Sequence, residues 1–297
     1  MSRSALRTEG ASVGEALPAA VASLERAGVD SPRLDAELLL ASCTGADRAE
    51  LVARPEARLT DPQARRFADL VARRAQREPV AYILGSKGFR RLELQCDGRA
   101  LIPRPETETL VDAAVGLASR WGAPDGSGLT VLDVGTGSGA VALAVCDELP
   151  GATVTATDLS AEALSLAATN RERLGLTDRL HLERGSVPAD RAFDAVVSNL
   201  PYVADRDWAG LEPELTAFEP REALLGGPDG LDPIRGLLTG RDGIRGLARL
   251  PRGIALEVGI GQASEVGAMV SALGYERVEI EPDLAGIERV VIGERNA

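Results

Sequence analysis

Apolar positions in the first quarter of the chain fall on one helical face: Val13, Leu17, Ala20, Val21 and Leu24 recur at helical spacing. Ser31-Pro32 then supplies an N-cap and a first-turn proline for a helix over 33–41, and Asp61-Pro62 does the same for 63–76. Glu78-Pro79 closes this pattern, which predicts a small helical domain over 1–77. The period then changes. Residues 89–94, the turn dipeptide Asp97-Gly98 and residues 100–102 read as a β-hairpin inside a connector spanning 78–108. From 109 to 297, β-rich runs at 129–134, 152–158, 179–183, 193–198, 253–258, 277–281 and 288–292 are mostly separated by helical segments, among them 140–149 and 161–174. The last two runs form a hairpin, so the expected fold is α/β, with a Rossmann-like sheet of seven strands and an antiparallel final strand. Residues 212–240, rich in glycine and proline, are too long for a simple connection and are expected either to cover a substrate or to form a surface insertion.

Composition narrows the partners. At 297 residues and 44% apolar content the chain can bury two cores. Its 33 basic and 45 acidic residues leave a formal charge of −12, which disfavours a free nucleic-acid partner. No long apolar run and no leader-like N-terminus are evident, so no membrane partner is expected and the cytoplasm is the expected location. A monomer is the expected state. Cys43, Cys96, Cys146 and the single His181 have no paired spacing, and no metal is predicted.

Candidate chemistry gathers at the strand ends. The run 129–134 ends in Asp133-Val134 and continues as Gly135-Thr136-Gly137-Ser138-Gly139 before a helix. Glycines at alternate positions allow tight turning and close approach to a ligand, and the helix behind them points free N–H groups at it. The G-x-G-x-G spacing differs from the dinucleotide G-x-G-x-x-G and is more usual for S-adenosylmethionine, which has no phosphate. Asp158 closes the next strand, 25 residues after Asp133, where a carboxylate can accept hydrogen bonds from both ribose hydroxyls. It can equally serve as an acidic charge at the start of the helix that follows. A third strand ends in Asn199-Leu200-Pro201-Tyr202. An amide nitrogen has a delocalised lone pair, so an enzyme that methylates one must grip its hydrogens with neutral acceptors and hold the flat group against a flat ring. Asn199 offers an acceptor and Tyr202 a ring, while Pro201 restrains the direction of the Leu200 carbonyl. The plainer reading is a strand that ends in a proline turn.

Taken together these residues resemble the HemK/PrmC release-factor glutamine methyltransferases, over nearly the whole chain. The resemblance is carried by Glu78-Pro79-Val80-Ala81-Tyr82-Ile83-Leu84-Gly85, by Leu101-Ile102-Pro103-Arg104-Pro105-Glu106-Thr107-Glu108, and by the glycine loop. Phe218-Glu219-Pro220-Arg221, Gly226-Gly227-Pro228-Asp229-Gly230 and Asp283-Leu284-Ala285-Gly286 follow in the same order. It implies a class I methyltransferase domain in which Asp133, Gly135, Thr136, Gly137, Ser138, Gly139, Asp158, Ser186 and Asn199 hold S-adenosylmethionine. Asn199, Leu200, Pro201 and Tyr202 would hold and activate the glutamine of a Gly-Gly-Gln loop in a peptide-chain release factor, and the helical domain would dock that protein. Two positions depart from the family pattern: Leu200 stands where it usually has proline, and Arg184-Gly185-Ser186 where it commonly has an acid followed by an aromatic. A ribosomal-protein glutamine, an adenine in RNA or DNA, and a non-catalytic cofactor-binding scaffold remain the alternatives.

Overall fold

A computed structural model describes residues 10–296, which divide after Gly85 into two compact units. The first unit holds five helices among its described residues: α1 Val13–Arg26, α2 Pro32–Thr44, α3 Arg48–Ala53, α4 Asp61–Arg74 and α5 Val80–Leu84. The helix starts follow from their caps. Ser12 opens α1 with its backbone N–H donating to Glu15 (2.8 Å), Asp47 caps α3, and Thr60 caps α4. Thr60, not Asp61, is therefore the cap of the fourth helix, and Asp61 occupies its first turn. Val13, Ala20 and Leu24 are buried with Leu39, Leu40, Phe67 and Val71. Leu17 and Val21 lie at the edge of that core. Sequence periodicity did not reveal α3 and α5, which are too short to show a repeat.

The second unit opens with an antiparallel hairpin, β1 Ser86–Phe89 and β2 Leu92–Gln95. Its turn is Arg90-Arg91, with Arg90 at φ 53°, and not the expected Asp97-Gly98. Ion pairing explains a turn of two arginines: Arg90 meets Glu148 at 2.7 Å and Arg91 meets Asp147 at 2.9 Å. There follow α6 Glu108–Arg120, β3 Thr130–Val134, α7 Ala140–Glu148, β4 Thr153–Asp158, α8 Ala161–Arg173, β5 Leu180–Arg184 and β6 Ala195–Ser198. The chain ends with α9 Pro213–Phe218, α10 Asp232–Thr239, β7 Gly253–Glu257, α11 Ala263–Ala272, β8 Arg277–Pro282 and β9 Glu288–Glu294.

All seven expected strands form one sheet in the order β5-β4-β3-β6-β7-β9-β8. β9 alone runs opposite in direction to the other six strands of this sheet. Alternate residues of each strand enter opposite cores, Val131 and Val197 on one face and Leu132 and Val196 on the other. The glycine- and proline-rich stretch 212–240 is largely ordered structure: it contains α9 and α10, and Ile234, Leu237 and Leu238 of α10 are buried in the second core. Among the described residues no helix is long and apolar enough to cross a membrane.

Candidate functional site

The sheet reverses its order of travel between β3 and β6, since the chain proceeds outward to β4 and β5 on one side and to β7 on the other. Open parallel sheets bind ligands beyond the carboxyl ends of the strands at such a switch. Val134 lies beside Thr157 of β4 and beside Ser198 of β6, so the glycine loop, Asp158 and Asn199 leave the sheet side by side.

The glycine loop is folded by its own neighbourhood. Gly135 N and Thr136 N both donate to the Thr157 carbonyl, at 2.8 and 2.9 Å. Gly137, at φ 57°, donates its N–H to Asp158 Oδ2 (2.9 Å), and Asp158 Oδ1 accepts from Ser160 N (2.8 Å). Each carboxylate oxygen keeps a second lone pair, so Asp158 can shape the loop and still face a ligand. Ser160, not Asp158, caps α8 by accepting from Ala163 N. Asp133 is wholly buried beneath the loop and accepts a hydrogen bond from Thr136 Oγ1 (2.7 Å). Burial pushes its pKa up to about 7, with the Asp158 charge adding to the rise and the Thr136 bond opposing it.

The loop after β6 is held from far away in sequence. Asn199 Nδ2 donates to Thr107 Oγ1 (3.1 Å), and no described residue donates to Asn199 Oδ1. The Tyr202 carbonyl accepts from Gln262 Nε2 (3.1 Å), while Gln262 Oε1 accepts from Gly259 N (2.8 Å). Gly226 N donates to the Val203 carbonyl, and a Cβ at Gly226 would come within 2.7 Å of the Pro201 carbonyl. The glycines of 226–230 thus let one backbone lie directly on another.

These elements enclose a cavity of about 250 Å³. Asp133, Gly135, Thr136, Gly137, Ser138, Asp158, Ser186, Asn199, Leu200 and Pro201 all line it. Two residues singled out in the sequence do not. Gly139 is the N-cap of α7, where it packs against Leu143 and Ala167. Tyr202 is partly exposed with its ring against Gly259, and desolvation together with the charge of Glu257 raises its pKa to about 12. The cavity brings in residues that sequence reasoning did not assign to the site: Leu159, Ala163, Glu222 and, from the connector, Thr107 and the stretch 99–104. Both arginines of that stretch are engaged, Arg99 with Asp97 (2.7 Å) and Arg104 with the buried Glu219, whose other oxygen accepts from Ile102 N (3.1 Å). The cysteines take no part: burial lifts Cys96 to about 12 and Cys146 to about 11. Among the described residues no three His, Cys, Asp or Glu side chains gather as metal ligands.

Known proteins are similar to this chain over most of its length. A family profile described as the PrmC N-terminal domain matches residues 15–85, and one described as a methyltransferase domain matches 131–217. The release factor glutamine methyltransferase of Caulobacter vibrioides is 40% identical over 286 residues, which cover 95% of this chain and 96% of the relative. That of Gloeobacter violaceus is 42% identical over 275 residues, covering 89% and 90%. The chain belongs to the release factor glutamine methyltransferase family. Among solved structures, the hMettl16 catalytic domain in complex with MAT2A 3'UTR hairpin 6 is 15% identical, covering 77% of this chain and 83% of that one at a TM-score of 0.56, a likeness of fold.

Proposed function

We propose that this chain transfers a methyl group from S-adenosylmethionine to the side-chain amide nitrogen of the glutamine in the Gly-Gly-Gln motif of a peptide-chain release factor. The observation that carries this reading is the state of Asn199: its Nδ2 donates to Thr107, and its Oδ1 is left as an acceptor on a residue that lines the same cavity as the glycine loop.

The residues present fit the cofactor. Both arginines of the wall are already paired, and the glycine-loop end carries the Asp158 carboxylate. That end repels a phosphate and suits a cationic sulfonium ligand. Gly135, Thr136, Gly137 and Ser138 would receive it, with Asp158 toward the ribose hydroxyls and Leu159, Ala163 and Ser186 around the base. When bound, it supplies an electrophilic methyl group for in-line attack by the amide nitrogen. Asn199 Oδ1 and the Leu200 carbonyl each accept one hydrogen of the target amide, which fixes its plane and favours the positive charge that develops on nitrogen. Neither residue takes a proton. The alkylated amide is acidic enough to lose one to water. Pro201 holds the carbonyl direction, and Tyr202 supports the loop from behind. The helical unit before Ser86 would hold the body of the release factor, so that remote contacts are spent on positioning the glutamine.

Mass spectrometry of a release factor incubated with the protein and labelled S-adenosylmethionine should locate one methyl group on that glutamine. Asn199→Ala should lower transfer by roughly 100-fold or more, the usual cost of losing a preorganised polar contact in a transition state, while calorimetry shows cofactor affinity nearly unchanged. Labelling of ribosomal RNA or of a ribosomal protein in preference would reject the substrate. Turnover of Asn199→Ala within a few-fold of wild type would reject the role of Asn199.

A further inference from the structure

The strands deliver the cavity lining in their own order along the sheet. β6 brings Asn199, β3 the glycine loop, β4 Asp158 and Leu159, and β5 brings Gly185 and Ser186. Gly185 follows Arg184, which lies beside Asp158 in the pairing of β4 with β5, and its N–H donates to the Asp158 carbonyl (3.0 Å). β5 is the terminal strand of the sheet on this side. The cavity is open here. Gly185 has φ 144°, a conformation that side chains rarely adopt, and a Cβ built on it would meet no atom within 4 Å. Leu159, which lines the same end, is 72% exposed. Between β3 and β6 the space is filled instead: a Cβ on Gly135 would come within 2.9 Å of Leu200 Cδ2.

The covalent order of S-adenosylmethionine can be set against this layout. Its sulfonium hangs from one side of the sugar ring and its base from the other. Transfer requires the sulfonium methyl group near Asn199, and Asp158 faces the ribose hydroxyls. The base then lies beyond Asp158 on the side away from Asn199, over the ends of β4 and β5. Three strand spacings of about 4.8 Å each separate β6 from β5, which leaves room for sulfonium, sugar and base in succession. The outer edge of the base, with its exocyclic amine, thus points toward Gly185 and Ser186. One of these has no side chain and the other a short one. Arg184 does not fill the gap, since its Nε donates to the Leu159 carbonyl (3.2 Å) and it stands outside the lining.

Resting on the function proposed above, we infer that Gly185 and Ser186 leave the base end of the cofactor site open, so that the protein also binds S-adenosyl ligands that carry a bulky substituent on the exocyclic amine of adenine. A site rejects a larger ligand by a clash, and these two residues supply nothing to clash with. The grip falls instead on the parts that every such ligand shares, the ribose at Asp158 and the tail at the glycine loop. The substituent leaves through the gap beside the exposed Leu159.

The test is calorimetric titration of the full-length chain with S-adenosylhomocysteine, which is the cofactor without its methyl group, and with its derivative benzylated on the exocyclic amine. Wild type should bind the two within about threefold of each other, whereas a closed wall would cost the benzyl derivative about 10-fold or more, as overpacking does. Ser186→Phe places an aromatic ring in the gap and should shift the ratio of the two affinities by about 10-fold or more against the benzyl derivative. A derivative methylated on a ribose hydroxyl should bind wild type about 10-fold or more weaker than the parent, since it loses a charge-assisted hydrogen bond to Asp158. A wild-type preference of about 10-fold or more for the parent over the benzyl derivative would overturn the inference. So would a folded Ser186→Phe that treats the two ligands alike, or unimpaired binding of the ribose derivative. If Ser186→Phe does not fold, the wild-type comparison alone decides it. Failure of the proposed function reads differently. Binding of neither nucleoside rejects the cofactor and this inference with it, whereas binding of both without methyl transfer to a release factor rejects only the substrate.

Discussion

Two loops leave neighbouring strands of one sheet and meet at one cavity, yet they are held in shape by different means. The glycine loop after β3 is fixed from nearby: Thr136 bonds to Asp133 three residues away, and Gly137 to Asp158 across 21 residues. The loop after β6 is fixed from afar, with Asn199 bonded to Thr107 across 92 residues and the Tyr202 carbonyl to Gln262 across 60. Even their glycines serve different ends. Gly137 supplies a positive φ in open space, where an added Cβ would meet only Ala100 at 3.9 Å. Gly230 combines a positive φ with a site where an added Cβ would overlap the Tyr202 carbonyl. Local chemistry can shape a binding loop alone, whereas a loop that must present a backbone carbonyl and a side-chain amide in one direction needs walls built by the rest of the fold.

The sharpest way to break this contrast is Gly230→Ala. The new methyl group cannot coexist with the Tyr202 carbonyl, so the backbone from Asn199 to Tyr202 must shift. Methyl transfer should fall by roughly 100-fold or more, since a displacement of about an ångström suffices for that loss. Cofactor affinity should stay close to wild type, because the glycine loop does not depend on residue 230. A variant that loses both together would show that the two loops fold as one.

Asp158→Ala attacks the other loop and should give the opposite pattern. It removes the acceptor of two backbone N–H groups as well as a carboxylate on the cavity wall. Cofactor affinity should weaken by about 1.5–3 kcal/mol, the range for charge-assisted hydrogen bonds. At saturating cofactor the transfer rate should largely return. Calorimetric titration that finds unchanged affinity in the folded variant would take Asp158 out of the binding site.

The same contrast explains what could be read from the sequence. The seven strands, their order of hydrophobicity and the G-x-G-x-G loop are local patterns, and each forms where expected. Asn199 was visible because it sits in a short motif at a strand end. Gln262 carries no local mark of its role, and Thr107 stood in the connector motif without one assigned, for what they support is fixed only when the chain returns from 60 or 92 residues away. The hairpin turn was misplaced because Asp97-Gly98 has stronger turn chemistry than Arg90-Arg91, whose conformation is stabilised by acids on a distant helix. Tyr202 has the right chemistry for stacking, but its absence from the cavity wall was not deducible from the motif.

Burial of Asp133 and Glu257 also sets a pH dependence of stability. Both folded-state pKa values are raised to about 7 from the ordinary carboxylate range, mainly by desolvation. Below that ordinary range each group is protonated in the folded and unfolded chains alike, and no penalty arises. As pH rises toward about 7 the unfolded chain gives up protons that the folded one keeps, so this contribution to stability falls and then levels off. Glu257→Gln removes one share of the loss. The Tm of Glu257→Gln relative to wild type should therefore rise between pH 5 and pH 8, by roughly 2–4 °C for each kcal/mol in a domain of this size. A difference that stays constant across that range would mean that Glu257 titrates normally.

The smallest effect is expected at Leu200, where the two loops touch. Its side chain is partly buried and packs on the glycine loop, so that a Cβ at Gly135 would come within 2.9 Å of Leu200 Cδ2. Leu200→Pro keeps the backbone carbonyl that the proposed mechanism uses and stiffens an extended segment already constrained by Pro201. Stiffening lowers the ordering cost, while the lost apolar contact costs about 1 kcal/mol. Transfer should hold within about threefold, the size of two opposing effects each below about 1 kcal/mol, and Tm should fall by about 2–4 °C. A loss of transfer beyond about 10-fold with cofactor affinity intact would mean that the carbonyl path has changed. An equal loss in cofactor affinity would instead show that the Leu200 side chain shapes the glycine loop, and that the loop read here as self-supporting leans on its neighbour after all.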